Sequence, residues 1–272
     1  MPAISRLWRY LPAYREVAGM WMRTCITYRF SWSLDMLGLL LQIYTLKMIW
    51  TAVYAGRDQV DGVPLDGLIA QLTFANLLLW VMYPMLAGYL EERVREGTLA
   101  LELARPAPFL GQMVAAQIGD TAAGLPLVVV ALPLAYLLGG LLPPASPAAG
   151  LLFAVSLGLA YAIVVMTGLV IGLVSFWTTE VGGVMTIHAF VSRFFAGALV
   201  PLSFFPPWLG TIAGLLPFQA QASIPLALYL GRADGLESVR LLATQLFWVV
   251  ALLGLARVLW RLALRRVVVY GG

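Results

Sequence analysis

The chain has 272 residues, 61% of them hydrophobic and 11% charged, with a mean hydropathy of +0.89. Soluble chains carry about 25% charged residues, so this composition excludes a soluble domain. The net charge of +4 sits in arginines at the ends of apolar runs. It forms no basic stripe with interleaved stacking aromatics, and no nucleic-acid partner is expected.

Residues 1–29 mix Arg6, Arg9, Arg15 and Arg23 with Leu7, Trp8, Leu11, Tyr14, Val17 and Trp21. Basic and apolar residues recurring three and four apart predict an amphipathic helix lying on the inner membrane surface. The first apolar run begins only near residue 30, too late and too long for a cleavable signal peptide. Runs follow at Phe30–Tyr54, Leu68–Leu90, Phe109–Leu138, Ala149–Phe176, Val184–Phe204 and Leu241–Leu262. Each is about 20 residues or more and, at 1.5 Å per residue, long enough to cross a hydrocarbon core about 30 Å thick. The expectation is therefore an all-α polytopic membrane protein with six transmembrane helices in one domain, residues 30–272.

The connections read as turns: 55–67 (AGRDQVDGVPLDG), 141–147 (LLPPASP), 178–183 (TTEVGG) and 231–239 (GRADGLESV). The stretch 205–230 is apolar but interrupted by Pro217 and Pro225. It predicts two short helices dipping into one leaflet, a re-entrant hairpin, because interrupted halves cannot each span. No convincing internal repeat is present, which counts against transporters built from duplicated halves.

With the N-terminus inside, the inner side holds Arg6, Arg9, Arg15, Arg23, Arg29, Arg93, Arg95, Arg105, Arg257, Arg261, Arg265 and Arg266. The outer side holds Arg57, Arg232 and Arg240. Loop arginines set orientation, so both termini are expected on the cytoplasmic side of a cell membrane.

The densest charge cluster lies between the second and third runs, at 91–108 (EERVREGTLALELARPAP). Leu99 and Leu103 are four apart on one helical face, flanked by Glu92, Arg93, Arg95, Glu96 and Glu102. Gly97 lets the chain turn into that helix, and Pro106, just after Arg105, closes it. The residues alone allow a docking element or a solvated loop that only sets topology.

Taken together, this segment, the stretch 197–231 (GALVPLSFFPPWLGTIAGLLPFQAQASIPLALYLG) and the basic-Val-Tyr-Gly-Gly ending resemble the permease subunits of bacterial type-2 ABC exporters, in the branch of small permeases paired with a separate ATPase. The resemblance covers nearly the whole chain and rests on the order and spacing of the three segments. It implies that 91–108 is the inner coupling segment, with Glu92, Arg93, Arg95, Glu96, Gly97, Leu99, Glu102, Leu103 and Arg105 docking an ATPase. It also implies that 205–230 is an outer lid carrying Phe205, Trp208, Pro217 and Phe218. The implied assembly is two ATPase copies and a second permease, identical or related, in the cytoplasmic membrane. ATP and Mg would be bound by the ATPases, with no cofactor in this chain.

The residues agree with borrowed energy. A phosphate-binding loop needs Gly-Lys-Ser/Thr after a glycine-rich turn. The sole lysine, Lys47, stands inside the first run in TLKMIW. His188 and Cys25 are the only histidine and cysteine, so neither a metal cluster nor a disulfide is expected, and no catalytic set can be assigned.

Three intramembrane charges remain: Arg193 in the fifth run, Asp35 in the first and Asp120 in the third. Their comparable depth suggests an ion pair between Arg193 and one carboxylate, or a substrate-contacting or gating charge. Lys47 is expected to snorkel. Gln71, Thr73 and Asn76 line a cavity or hydrogen-bond between helices. The spacings Gly168–Gly172 and Gly210–Gly214 permit close helix approach. Two rival functions stay open, an ion-coupled secondary transporter and a membrane-embedded enzyme acting on lipid. The substrate class suited to such apolar spans is a hydrophobic or amphipathic small molecule, peptide or lipid.

Overall fold

The structure is a computed structural model that describes residues 2–27, 29–60, 62–178 and 180–270. Its elements in chain order are α1 (Pro2–Thr27), α2 (Arg29–Tyr54), a small hairpin of β1 (Gln59–Val60) and β2 (Val63–Pro64), α3 (Leu65–Val81), α4 (Leu86–Arg95), α5 (Leu99–Leu103) and α6 (Phe109–Gly139). There follow α7 (Pro147–Thr178), α8 (Gly182–Phe195), a 3₁₀ turn at Leu202–Phe204, α9 (Pro207–Gly214), α10 (Ser223–Tyr229) and α11 (Gly235–Tyr270). The antiparallel hairpin pairs Gln59 with Pro64 and Val60 with Val63. The molecule is all-α in the sense that matters for a bilayer: helices satisfy their own backbone groups.

Among the described residues, five stretches are long and apolar enough to cross a membrane: Phe30–Tyr54, Leu65–Arg95, Phe109–Gly139, Pro147–Thr178 and Gly235–Arg266. The expected sixth transmembrane helix, Val184–Phe204, is corrected in form: the stretch is not one continuous helix. Its helix α8 has 14 residues, about 21 Å at 1.5 Å each. Gly197 then adopts φ 76° and ends it, and the chain continues unwound. The freed carbonyls are met from inside the protein. Ser223 Oγ donates to Ala196 O at 2.7 Å, Asn76 Nδ2 to Ala198 O at 2.7 Å and Trp50 Nε1 to Leu199 O at 3.3 Å. Irregular backbone at such depth is tolerated only where protein supplies these partners.

The second crossing is also interrupted. Between α3 and α4 the helix opens at residues 82–85, around Pro84, whose missing N–H breaks the ladder. Gln117 of α6, fully buried, repairs the gap. Its Oε1 accepts from Leu86 N at 2.9 Å and its Nε2 donates to Tyr83 O at 3.1 Å.

Helix α7 is the centre, packing against α4, α10 and α11. Helix α4 comes close because α7 offers glycines: a Cβ on Gly168 would meet Pro84 Cβ at 2.9 Å, and one on Gly172 would meet Ala87 Cα at 3.0 Å. The other glycine pair, Gly210 and Gly214, has open space around it. Helix α1 lies along the first half of α6, where Gly111 accommodates Tyr14 and Gly119 accommodates the backbone of Ala18. Trp21 of α1 reaches the Tyr89 ring, 4.2 Å between centroids. The side chains of Arg6, Arg9 and Cys25, and the ending Gly271–Gly272, lie outside the described residues.

Candidate functional site

Two places in the fold gather chemistry. The first is the charged end, where α4 stops, Gly97 turns at φ 69° and α5 runs for five residues. Arg93 Nε bonds both carboxylate oxygens of Glu102, at 3.2 and 3.1 Å, and Nη1 donates to Tyr89 O at 3.0 Å. Its guanidinium also lies 5.8 Å from the centre of the Trp21 ring. With 15% and 14% of their side chains exposed, Arg93 and Glu102 are spent on joining α5 to α4.

The apolar face of α5 is spent in the same way, which corrects the expectation that Leu99 and Leu103 look outward. Leu99 is 6% exposed and joins a core with Leu90, Phe109 and Leu173, and Leu103 packs on its edge. A five-residue helix next to a hydrophobic bundle buries its leucines there, since each buried leucine stabilises by about 1.5–3 kcal/mol. What remains on the outside is Glu92, Arg95, Glu96, Gly97, Leu101, Ala104 and Arg105. Leu101, which the sequence reading passed over, is 75% exposed. Its signal was available: it lies two residues from both Leu99 and Leu103, opposite their shared face.

The second place is the middle of the bundle. Arg193 Nη1 donates to Gln42 Oε1 at 3.1 Å, Gln42 Nε2 donates to Asn76 Oδ1 at 3.0 Å, and Asn76 Nδ2 goes on to Leu72 O and Ala198 O. The expected Arg193 ion pair is thus corrected. Among the described residues no carboxylate lies within 4.0 Å of Arg193. Asp35 is exposed and stands seven residues below Gln42 on α2, about 10 Å lower. Asp120 is buried on α6, whereas Arg193 turns toward α2.

Beside this network is a partly open cavity of about 30 Å³ where α8 faces the break between α3 and α4. Its polar lining is Tyr83, His188, Ser192, Arg193 and Gln221. Ser192 Oγ donates to Gln221 Oε1 at 2.7 Å, while the buried His188 Nε2 and Gln221 Nε2 have no partner among the described residues. An unsatisfied buried polar atom costs about 1–3 kcal/mol, so two in one cavity call for an explanation.

The other singled-out residues are placed as follows. Lys47 Nζ donates to Leu138 O at 2.7 Å, in the last turn of α6, where cations are favoured. Asn76 hydrogen-bonds between helices, Gln71 accepts from Arg232 Nη1 at 2.7 Å and Thr73 is buried against Gly139. In the 205–230 stretch, Phe205 stacks on Phe194 and Phe218 on Phe195, Pro217 is half-buried, and Trp208 is 65% exposed. Gln42, Gln117 and Gln221 were missed; glutamines inside apolar runs were their only signal. No group of three or more His, Cys, Asp or Glu capable of holding a metal occurs among the described residues.

A family model described as "ABC-2 family transporter protein" matches residues 36–271. The chain belongs to the ABC-2 transporter family. No curated protein matches it. As an ABC-2 permease it is a membrane-spanning transport subunit rather than a catalyst, and its family implies partnership with an ABC ATPase.

Proposed function

We propose that this ABC-2 permease is the membrane subunit of an ATP-driven exporter in the cytoplasmic membrane, served by a separate ATPase present in two copies and paired with a second permease, identical or related. The cargo is a hydrophobic or amphipathic small molecule, peptide or lipid. Both termini and the charged end face the cytoplasm, which the arginine distribution supports. The observation that carries the reading is the outward face of 91–105. There Glu92, Arg95, Glu96 and Arg105 are exposed together with Leu101, on a helix pair locked internally by Arg93 and Glu102. Such a rigid apolar tip with a charged rim is suited to a partner's groove.

Coupling then requires the ATPase states to bind different permease states with different affinity. Helix α4 is the direct mechanical link, since it runs from the docking face to the break at Pro84. The 205–230 stretch would cover the outer end of the path, with Trp208 exposed, Pro217 half-buried, and Phe205 and Phe218 anchoring the lid against Phe194 and Phe195 of α8. With one lysine and no Gly-Lys-Ser/Thr, the chain takes its energy from the ATPase, which binds ATP and Mg.

Co-expression with the cognate ATPase tests this. The two should co-purify and hydrolyse ATP, and Leu101→Asp should abolish recovery of the ATPase without lowering the yield of folded permease. Full recovery of the ATPase on the Leu101→Asp chain would remove the docking face.

A further inference from the structure

The cavity between α8 and the α3–α4 break combines three features that no backbone requirement explains. Gln221 is 2% exposed, and its Nε2 has no acceptor; its Oε1 is already taken by Ser192. His188 presents an unpartnered buried Nε2 to the same space. Arg193 lines it as well, spends one N–H on Gln42, and has no carboxylate within 4.0 Å among the described residues. The polar groups are thus donors, or in the case of His188 a group that donates in its Nε2–H form. No Asp or Glu lines the cavity, and apart from Tyr83 its remaining wall is apolar, including Met82 and Val164. A cation held at membrane depth is stabilised by an anion, and hydrogen bonds to an anion are stronger than those to a neutral acceptor.

The geometry points to an anion-recognition site: Gln221 Nε2, His188 Nε2 and the Arg193 guanidinium bind the oxygen end of a carboxylate or phosphate carried on an apolar body. The cavity is open on one side, and the apolar body lies through that opening. This deepens the exporter reading and rests on it only for the claim that the bound molecule is cargo. It narrows the cargo to amphipathic anions. It also places the recognised group against Tyr83 and Pro84, at the head of the helix that leads to the docking face.

His188 is the only histidine, so a chain purified through a non-histidine tag and labelled with ¹⁵N-histidine carries a single imidazole reporter. The full chain in phosphatidylcholine nanodiscs is titrated at neutral pH with octanoate, octanol and octyltrimethylammonium, three probes sharing one apolar tail. Octanoate should shift the Nε2 resonance saturably, and the other two should not. Gln221→Glu keeps an oxygen for Ser192 Oγ but replaces the donor with an anionic acceptor, and should weaken octanoate by about tenfold or more. An equal response to all three probes, or an unchanged response in Gln221→Glu, means bilayer partition and overturns the site. Absence of any octanoate response means the donors serve water only and overturns it too. The comparison of probes on the unsubstituted chain decides the matter even where Gln221→Glu does not fold. The titration contains no ATPase, so its failure leaves ATPase docking untouched, and failure of docking leaves the titration result standing.

Discussion

At the scale of single residues, side-chain amides do the work that regular backbone cannot. Gln117 bridges the Pro84 break, accepting from the N–H of Leu86 and donating to the C=O of Tyr83, which also accepts from Met85 N. Replacing it with leucine leaves the buried Leu86 N–H unmet inside an apolar bundle, at about 1–3 kcal/mol. Gln117→Leu should therefore lower the thermal midpoint of the purified chain clearly. Ile118→Leu, at a neighbouring position 48% exposed, should not. Equal midpoints for the two would show that the amide does not hold the break. The same logic explains what sequence could not supply about Arg193. Counting residues along a run gives depth, and depth made Asp35 and Asp120 look like partners. It does not give azimuth, and the structure turns Arg193 to an uncharged amide, Gln42, that carries no electrostatic signature in the sequence.

Among elements, identical spacings have different fates. Gly168 and Gly172 receive α4 at near-contact distance, whereas Gly210 and Gly214 meet nothing within 4 Å. A leucine at Gly172 would strike the backbone of Ala87 and Cβ of Leu90, so Gly172→Leu should fail to yield folded protein. Gly210→Leu should fold as the parent does, read by size exclusion in detergent. Normal folding of Gly172→Leu would mean that α4 does not pack on α7 as described. The motif was legible in both places; only the neighbour that uses it was not. Helix α5 carries a similar lesson. Its leucine spacing was read correctly as one face, but whether that face meets a partner or its own bundle depends on Leu173 and Trp260, far away in sequence. Leu99→Asp should accordingly collapse the charged end and the fold, while Leu101→Asp spares the fold and affects docking alone. Hydrogen exchange across 97–105 separates the two outcomes: fast exchange in the first, parental exchange in the second.

Across the whole molecule, hydropathy located all five long crossings within a few residues, because a bilayer demands about 20 apolar residues of any helix. It misread one stretch as a continuous helix, where the demand is met differently. The stretch 184–204 is apolar throughout, yet Gly197 ends α8 after 14 residues, and polar side chains from α2, α3 and α10 complete the passage. Such partners come from three separate places in the chain and leave no local pattern. Orientation can be checked in a Cys25→Ala background. Single cysteines replacing Arg57 or Arg232 should react with an impermeant maleimide added to intact cells, and one replacing Glu96 should react only after permeabilisation. Labelling of the Glu96 position from outside would invert the arrangement. The central claim is that an ATPase sits on the outward face of residues 91–105, and cross-linking tests it most directly. With the permease co-expressed with its ATPase and Cys25 removed, a photoactivatable cross-linker attached to Leu101→Cys should capture the ATPase, and the same reagent on Arg232→Cys should not. Capture from Arg232→Cys, or none from Leu101→Cys in a complex that still co-purifies, would contradict the account.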